Sequence, residues 1–146
     1  MARTDFKFSH RTRVRWAEVD RQDVVFHAHY FAFFDSAQTE YLRNLDYPYP
    51  RGLEEKGHDL FIVEAHADFA GSATFDDEID VCVRVSKLGR SSLTFTFEIF
   101  RVGEDKTLVA GREVYVNVDS KTEKSVELPE ELIERIREFE AIGPGE

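Results

Sequence analysis

Residues 16–41 have the sequence WAEVDRQDVVFHAHYFAFFDSAQTEY, a charged turn that leads through an apolar step into an aromatic segment. Apolar side chains in the second half recur at spacings of three and four, which predicts a helix over about residues 28–45. These side chains are Tyr30, Phe34, Ala37, Tyr41 and Leu45. Asp20 precedes the helix start, where backbone N–H groups and a partial positive charge converge. This arrangement suits chemistry on a carbonyl group.

The sequence predicts the surroundings of the start of this helix and the place where it ends. Its first turn, residues 30–34, is apolar all round, so we expect it to be enclosed on every side. Pro48 and Pro50 cannot continue the helix, because proline lacks a backbone donor and restricts the residue before it.

Alternating apolar and polar residues predict five strands. The first strand has four apolar residues on one face, namely Phe6, Phe8, Val14 and Trp16. The other four strands lie within residues 61–69, 79–85, 93–99 and 114–118. Residues 76–78, 89–90 and 103–106 are polar segments of hairpin-turn length, so these strands are expected to be antiparallel.

The chain ends in a predicted short helix, with Pro129 at its first position and an apolar stripe of Leu132, Ile136 and Phe139. We therefore expect one domain over residues 1–146. A helix that is apolar at its start needs a cover, and a curved five-stranded antiparallel sheet wrapped around it provides one, which is an α+β fold. Open sheet edges and thirteen Phe residues favour a dimer that extends the sheet.

Composition excludes several classes of protein. The formal net charge of −10 argues against a nucleic-acid partner, because phosphate binding requires a basic face. Cys82 is the only cysteine, so no disulfide framework and no Cys-based zinc cluster are expected. The first ten residues lack a secretory apolar core, and no apolar run approaches the roughly 18 residues of a spanning helix. We expect a cytoplasmic protein with no integral membrane segment.

The run DRQDVVFHAHY, residues 20–30, resembles the signature of the hotdog-fold acyl-CoA thioesterases. The closest group is the 4-hydroxybenzoyl-CoA thioesterase type, which includes small thioesterases found with the Tol-Pal system. The similarity extends over about residues 8–119 and includes the turns FDDE at 75–78 and KLGRSS at 87–92. The resemblance implies a hotdog fold and the hydrolysis of an acyl-CoA thioester. Coenzyme A is then part of the substrate, and no separate cofactor is expected.

The resemblance also implies roles for individual residues. The family's catalytic carboxylate corresponds to Asp20, as nucleophile or general base. The family polarises the thioester oxygen with a backbone N–H at the helix start, and His27 holds the matching position, where the side chain has a supporting role in many relatives. The turn that lies near the coenzyme in relatives implies contacts from Lys87, Arg90 and Ser91.

The acyl group is expected between the central helix and a neighbouring subunit, in a homodimer or homotetramer. Phe34 belongs to an aromatic cluster that we expect to form core first and acyl-pocket wall second.

The chain departs from the family at two places near Asp20. Asp23 replaces a usual Gly, which permits the positive φ that Asp tolerates less well. A second carboxylate three residues from Asp20 favours the general base over the nucleophile through like-charge repulsion, unless its side chain points to water. Trp16 stands where Tol-Pal relatives often have Tyr, so a hydroxyl contact is absent here.

Other chemistries fit the sequence less well. His27 and His29 with nearby aspartates resemble a metal site, but residues i and i+2 share no helical face, so no metal is expected. The chain has no Gly-x-Ser-x-Gly elbow, which argues against a Ser triad. A hotdog hydratase acting on enoyl or hydroxyacyl thioesters and a non-catalytic acyl-thioester binding scaffold remain alternatives. Coenzyme A and acyl carrier protein also remain open as the thiol carrier.

Overall fold

The computed structural model describes residues 2–143, so residue 1 and residues 144–146 of the predicted domain lie outside the described part. The described elements, in chain order, are β1 (Phe8–Arg13), α1 (His29–Asn44), α2 (Arg51–Glu54), β2 (His58–Phe69), β3 (Glu78–Leu88), β4 (Ser92–Arg101), β5 (Thr107–Asp119) and α3 (Glu130–Glu140). Two 3₁₀ helices, Arg3–Asp5 and Trp16–Glu18, flank β1.

The five strands form one antiparallel sheet in the order β1-β3-β4-β5-β2. The later strands β3, β4 and β5 make a meander, while β1 and β2 form the two edges. The sheet curves around α1, as the sequence predicts. This arrangement confirms the α+β architecture and the five-stranded sheet around a central helix.

Helix α1 is held against the sheet by aromatic packing. The Phe34 ring stacks on the Phe97 ring of β4, with the ring centroids 4.4 Å apart. Gly111 on β5 permits this approach, because a Cβ there would lie 2.4 Å from the Phe34 ring. Helix α3 adds a second contact, since the Tyr41 hydroxyl of α1 donates to Oε2 of Glu140 at 2.5 Å.

Several local expectations are wrong. The chain leaves the sheet after Arg13 and turns into a 3₁₀ helix, so Trp16 is 76% exposed instead of facing the core. The first turn of α1 is not enclosed on every side, because Ala32 is exposed and Phe31 is half-buried in the protomer. Pro129 is the N-cap of α3, with ψ 134°, and Glu130 is the first helical residue.

Strand β2 is the largest departure from the expected burial. Its alternating pattern predicts one buried face, but Phe61, Ile62, Val63 and Phe69 are all 40% exposed or more. The reason is that β2 lies at an edge of the sheet while α1 packs mainly on β3 and β1, so the protomer leaves these side chains uncovered.

Candidate active site

The segment between β1 and α1 folds into a small hairpin-like turn. Val19 and Val25 form an antiparallel bridge, and Val24 bridges Thr74 in the segment before β3. The Asp20 N–H donates to the Val24 carbonyl at 2.8 Å, and the Phe26 N–H donates to the Glu18 carbonyl at 2.8 Å. These contacts place Asp20 at the tip of a fixed turn directly before the helix.

The Asp20 carboxylate is half-buried and oriented by its own turn. Its Oδ1 atom accepts a hydrogen bond from the Gln22 N–H at 2.7 Å, and its carbonyl accepts from the Asp23 N–H at 3.0 Å. Among residues 2–143, no group donates to Oδ2. One carboxylate oxygen therefore holds the side chain in place while the other remains available.

Asp23 adopts a left-handed backbone conformation with φ 63°. This is the region that glycine enters freely and that costs other residues roughly 1–2 kcal/mol. The Asp23 backbone therefore adopts the positive φ that the sequence analysis associated with a glycine at this position, and its side chain is exposed.

Backbone donors are available where α1 begins. The N–H groups of His29 and Tyr30 donate to the carbonyls of Phe26 and His27. Within the described residues, the N–H groups of His27 and Ala28 have no acceptor, and Ala28 provides no side-chain cap. Free donors at a helix start can stabilise a developing oxyanion.

The His27 ring is exposed and lies among aromatic rings. Its centroid is 4.5 Å from the Phe26 ring and 6.3 Å from the Phe69 ring of β2. The side chain thus lies on the surface that connects the helix start to the end of β2.

Tyr30 links the first turn of α1 to the segment beside Asp20. Its buried hydroxyl accepts a hydrogen bond from the Ala73 N–H at 3.0 Å, and the Ala73 carbonyl accepts from the Val25 N–H at 2.9 Å. Burial raises the pKa of Tyr30, and the charges of Asp77 and Asp20 raise it further against the opposing Ala73 hydrogen bond and Arg101 charge. Through Ala73, the first turn of α1 is therefore connected to Val25 at the end of the Asp20 turn.

Glu18 is a buried carboxylate that the sequence analysis missed. It accepts hydrogen bonds from the N–H and Nε of Arg15 at 2.7 and 2.8 Å. Burial opposes ionisation, but the Arg15 hydrogen bonds and charge, with a smaller contribution from His29, lower the pKa of Glu18 overall. Glu18 thus fixes the start of the turn as an ion pair.

An acidic cluster lies between α1 and β5, and the sequence analysis did not identify it either. Glu113 is 1% exposed, and burial together with the Asp35 charge raises its pKa to about 7. The Tyr115 hydroxyl donates to Glu113 Oε1 at 3.4 Å. A cavity of about 250 Å³ is lined by Asp35, Gln38, Thr39, Tyr49 and Tyr115. No sequence motif connects Asp35 with Glu113, because they are distant in the chain.

The residues of the predicted coenzyme turn lie elsewhere in the protomer. Arg90 and Ser91 are in the β3–β4 turn and Lys87 lies near the end of β3, whereas the segment beside Asp20 meets the chain just before β3 begins. The eleven residues of β3 separate the two places by roughly 30 Å. The Arg90 side chain is 83% exposed and its Nε donates to Glu127 at 2.8 Å.

Phe34 is fully buried and packs against the Phe97 and Phe31 rings in the core. In the described residues, no group of three or more His, Cys, Asp or Glu side chains is arranged to hold a metal ion. None of the described helices is both long and apolar enough to cross a membrane.

Comparison with known proteins gives the class of the protein. The model of the thioesterase-like superfamily matches residues 14–136. The chain is 33% identical over 97 residues to the acyl-CoA thioesterase YbgC of Haemophilus influenzae, covering 66% of this chain and 71% of that protein. It is 29% identical over 128 residues to the acyl-CoA thioester hydrolase YbgC of Escherichia coli O157:H7, covering 86% and 92%.

A solved structure agrees with the sequence comparisons. A hypothetical protein of Aquifex aeolicus superposes with a TM-score of 0.81 at 28% identity, covering 88% of this chain and 98% of that one. The fold, the family match and the relatives agree on a hotdog-fold protein of the thioesterase class. This chain belongs to the thioesterase-like superfamily.

Proposed function

We propose that this protein hydrolyses acyl-CoA thioesters to a free acid and coenzyme A. Asp20 acts as nucleophile or general base, and the His27 N–H donates to the thioester oxygen. The observation that carries this proposal is the half-buried, oriented Asp20 carboxylate directly before unpaired backbone donors at the start of α1. Relatives named acyl-CoA thioesterase support the substrate class.

The geometry suits the charge that develops during the reaction. Attack on the thioester carbon places negative charge on the carbonyl oxygen, and one preorganised donor contributes about 3 kcal/mol to the transition state. A neighbouring carboxylate then supplies either the attacking oxygen or the base that activates water.

Thiol release from a panel of short, long and aromatic acyl-CoAs tests the proposal. We expect Asp20→Asn to lower kcat by about 10²-fold or more, because the amide is neither a nucleophile nor a base. Asp23→Asn is the matched control, since it removes an exposed carboxylate from the same turn. Full activity of Asp20→Asn contradicts the mechanism, and enoyl hydration without thiol release favours the hydratase alternative.

Two substitutions of His27 separate its backbone from its ring. His27→Ala keeps the N–H, and we expect it to retain most of kcat. His27→Pro removes the N–H, and we expect a loss of about 10²–10³-fold in kcat. Circular dichroism of both variants checks that α1 is intact. Equal losses in the two variants assign the role to the imidazole instead.

The two roles of Asp20 differ in where the water oxygen goes. As nucleophile, Asp20 forms an anhydride as the C–S bond breaks, the thiolate takes a proton, and water then opens the anhydride. As general base, Asp20 takes a proton from water, water attacks the carbon, and the proton passes to the leaving sulfur. A single turnover in ¹⁸O water labels Asp20 only if the anhydride is attacked at the aspartyl carbonyl carbon, so that label establishes the nucleophilic route.

We place the acyl group between α1 and a second copy of this chain, in a homodimer that extends the sheet at β2 or in a tetramer of such dimers. The support is the exposed apolar surface of β2 at the edge of the sheet, which includes Phe61, Ile62 and Val63. The reaction is placed in the cytoplasm and needs no cofactor. Parallel assays with acyl-CoA and acyl carrier protein thioesters identify the thiol carrier.

A further inference from the structure

A groove lies between α1 and the edge strand β2, on the side of the sheet that faces the helix. It begins at the helix start, where the Phe69 ring lies 6.3 Å from the His27 ring and 5.8 Å from the Tyr30 ring. Ala67 and Ala65 follow on the same face of β2 as Phe69. Phe69 is 50% exposed and Ala65 is also exposed, so this α1–β2 groove is open in the protomer.

The far end of the α1–β2 groove is acidic. In the sheet register, Gly111 of β5 pairs with Ala67, and Glu113 pairs with Ala65. Gly111 lies against the Phe34 ring, so this face of β5 is turned toward α1. Glu113 shares that face, because side chains two residues apart in a strand point the same way. The Glu113 carboxyl is therefore placed beside the groove at the level of Ala65.

Two estimates agree on the length of the groove. The eight residues from His27 to Asp35 correspond to about 12 Å along the helix axis. The four residues from Phe69 to Ala65 correspond to about 13 Å along β2. Because helical side chains lean toward the helix N-terminus, the Asp35 carboxylate lies roughly 10 Å from a thioester carbon held at the His27 N–H.

This length fits an acyl group of medium size. An extended chain advances about 1.2 Å per bond, so a polar atom attached to the sixth carbon lies roughly 7 Å from the thioester carbon. The remaining gap to the carboxylate is about one hydrogen bond.

The carboxyls at the far end lack strong partners. Glu113 is 1% exposed, yet its hydrogen bond from the Tyr115 hydroxyl is 3.4 Å long, beyond the usual range for O–H···O bonds. Within residues 2–143, no cationic side chain pairs with Glu113 or Asp35. A buried carboxyl with so little compensation favours a ligand that donates a hydrogen bond to it.

A cavity of about 250 Å³ adjoins these carboxyls and is lined by Asp35 and Tyr115, among others. Two further hydroxyls in its lining already donate elsewhere. Thr39 donates to the Asp35 carbonyl at 2.9 Å, and Tyr49 donates to Asp59 at 2.8 Å. The carboxyl groups of Asp35 and Glu113 are left as acceptors for a ligand.

We propose that Asp35 and Glu113 select a medium-length acyl group whose far end donates a hydrogen bond, as a hydroxyl or an ammonium group does. This inference rests on the proposed function, because it places the thioester at Asp20 and His27. A methyl end leaves Glu113 unpaired, and a carboxylate end is repelled by Asp35. A site that hydrogen-bonds one group rejects an analogue that lacks it, and we expect a preference of about 10–100-fold.

Four coenzyme A thioesters of matched length test the preference. The 6-hydroxyhexanoyl, 6-aminohexanoyl, heptanoyl and adipoyl thioesters carry a hydroxyl, an ammonium, a methyl and a carboxylate group at the far end. At pH 8, above the Glu113 pKa of about 7, this carboxyl accepts hydrogen bonds. We expect kcat/KM for at least one donor substrate to exceed that for heptanoyl-CoA about 10–100-fold, with adipoyl-CoA the poorest. The two donor substrates distinguish hydroxyl from ammonium, and heptanoyl-CoA or adipoyl-CoA as the best substrate overturns the proposal.

Substitution of Glu113 tests its part in the selection. Glu113→Leu is expected to lower the ratio of kcat/KM for the preferred donor substrate to that for heptanoyl-CoA by about tenfold or more. This ratio does not depend on how much of the variant is folded, because both substrates are measured on the same sample. A wild-type ratio in Glu113→Leu overturns the proposal.

Asp35 provides a second variant that does not alter the core, since its side chain lies on the exposed surface of α1. Asp35→Asn is expected to raise kcat/KM for adipoyl-CoA relative to heptanoyl-CoA, because it removes the repulsion of the carboxylate end. Glu40→Gln is the matched control, because it removes a carboxylate from another face of α1, where Glu40 pairs with Arg43. Equal shifts in the two variants mean that general charge sets the preference, and they overturn the assignment to Asp35.

Thioether analogues distinguish failure of this inference from failure of the proposed function. S-(6-hydroxyhexyl)-, S-(6-aminohexyl)- and S-heptyl-coenzyme A carry the same far ends but no bond that can be hydrolysed. In isothermal titration calorimetry, we expect at least one donor analogue to bind about tenfold more tightly than the heptyl analogue. If the wild type hydrolyses none of the four thioesters, the proposed function fails, whereas the titration still tests the selection. Equal affinities of the three analogues overturn the inference.

Discussion

The hydroxyl of Tyr30 and the backbone N–H of Ala73 form a buried hydrogen bond of 3.0 Å that joins helix α1 to the segment before β3. Ala73 also accepts from the Val25 N–H, so one residue fixes both the helix and the turn that carries Asp20. The relative position of the carboxylate and the helix start depends on this contact.

We expect Tyr30→Phe to destabilise the protein by about 1–3 kcal/mol, because it leaves the buried Ala73 N–H without a partner. We also expect a lower kcat, since the Asp20 turn loses its tie to α1. Urea unfolding and thiol-release assays measure the two effects.

Tyr41→Phe is the matched control for Tyr30→Phe. It also deletes a buried phenolic hydroxyl, but that hydroxyl donates to Glu140 of α3 and not to the Asp20 segment. Stability is expected to fall while kcat is kept. A similar loss of kcat in both variants shows that stability alone, and not the position of the turn, controls activity.

Asp23 supports a second prediction. At φ 63°, Asp23→Gly relieves left-handed strain but increases the entropy of the unfolded chain, so we expect a net gain of roughly 0.5–1 kcal/mol. Asp23→Asn is expected to leave stability nearly unchanged, because Asn tolerates this conformation as well as Asp does. Thermal unfolding compares the variants, and a less stable Gly variant contradicts the strain assignment.

The periodicity of apolar residues predicted the helices and strands, because it depends only on residues that are near one another in the chain. Helix α1 was predicted to within one residue at each end, because its apolar residues recur at the helical period and Pro48 and Pro50 follow. The five strands and their turns were also found from alternation. Exposure was not predictable in this way, since Phe61 and Val63 on the edge strand β2 have the same pattern as a buried strand.

The candidate site shows the same difference between features set by neighbouring residues and features set by tertiary packing. Asp20 and His27 lie seven residues apart, so one continuous motif was enough to identify both as candidates. Glu113 and Asp35, like Trp16 and Phe75, meet only through tertiary packing. Arg90 lies in the β3–β4 turn, as its motif indicates, and its contact with the coenzyme stays a prediction.

The proposed dimer gives a third prediction. Ile62 is exposed on edge strand β2, and a lysine there opposes edge-to-edge pairing. We expect Ile62→Lys to weaken the dimer by roughly tenfold or more in sedimentation equilibrium, and to reduce thioesterase activity in parallel. Asn44→Lys adds the same charge at the exposed end of α1 as a control. An Ile62→Lys protein that stays dimeric excludes β2 as the interface.

The buried carboxyl of Glu113 gives a prediction about pH. Its pKa is raised from 4.5 to about 7, so between these values the folded protein holds a proton that the unfolded chain releases. Stability therefore falls as pH rises through this interval and levels off above about 7, for a total of roughly 3 kcal/mol. Glu113→Gln removes this dependence while keeping the size of the side chain.

Urea unfolding of wild type and Glu113→Gln at pH 4.5, 6 and 8 measures the effect. We expect the difference in unfolding free energy to shift in favour of the Gln variant by roughly 3 kcal/mol from pH 4.5 to pH 8. Contributions from other titrating groups largely cancel in this difference. Asp35 is the nearby exception, because burial also raises the pKa of its carboxyl, and Asp35→Asn in both backgrounds accounts for it. A difference that stays constant with pH means that folding does not raise the pKa of Glu113.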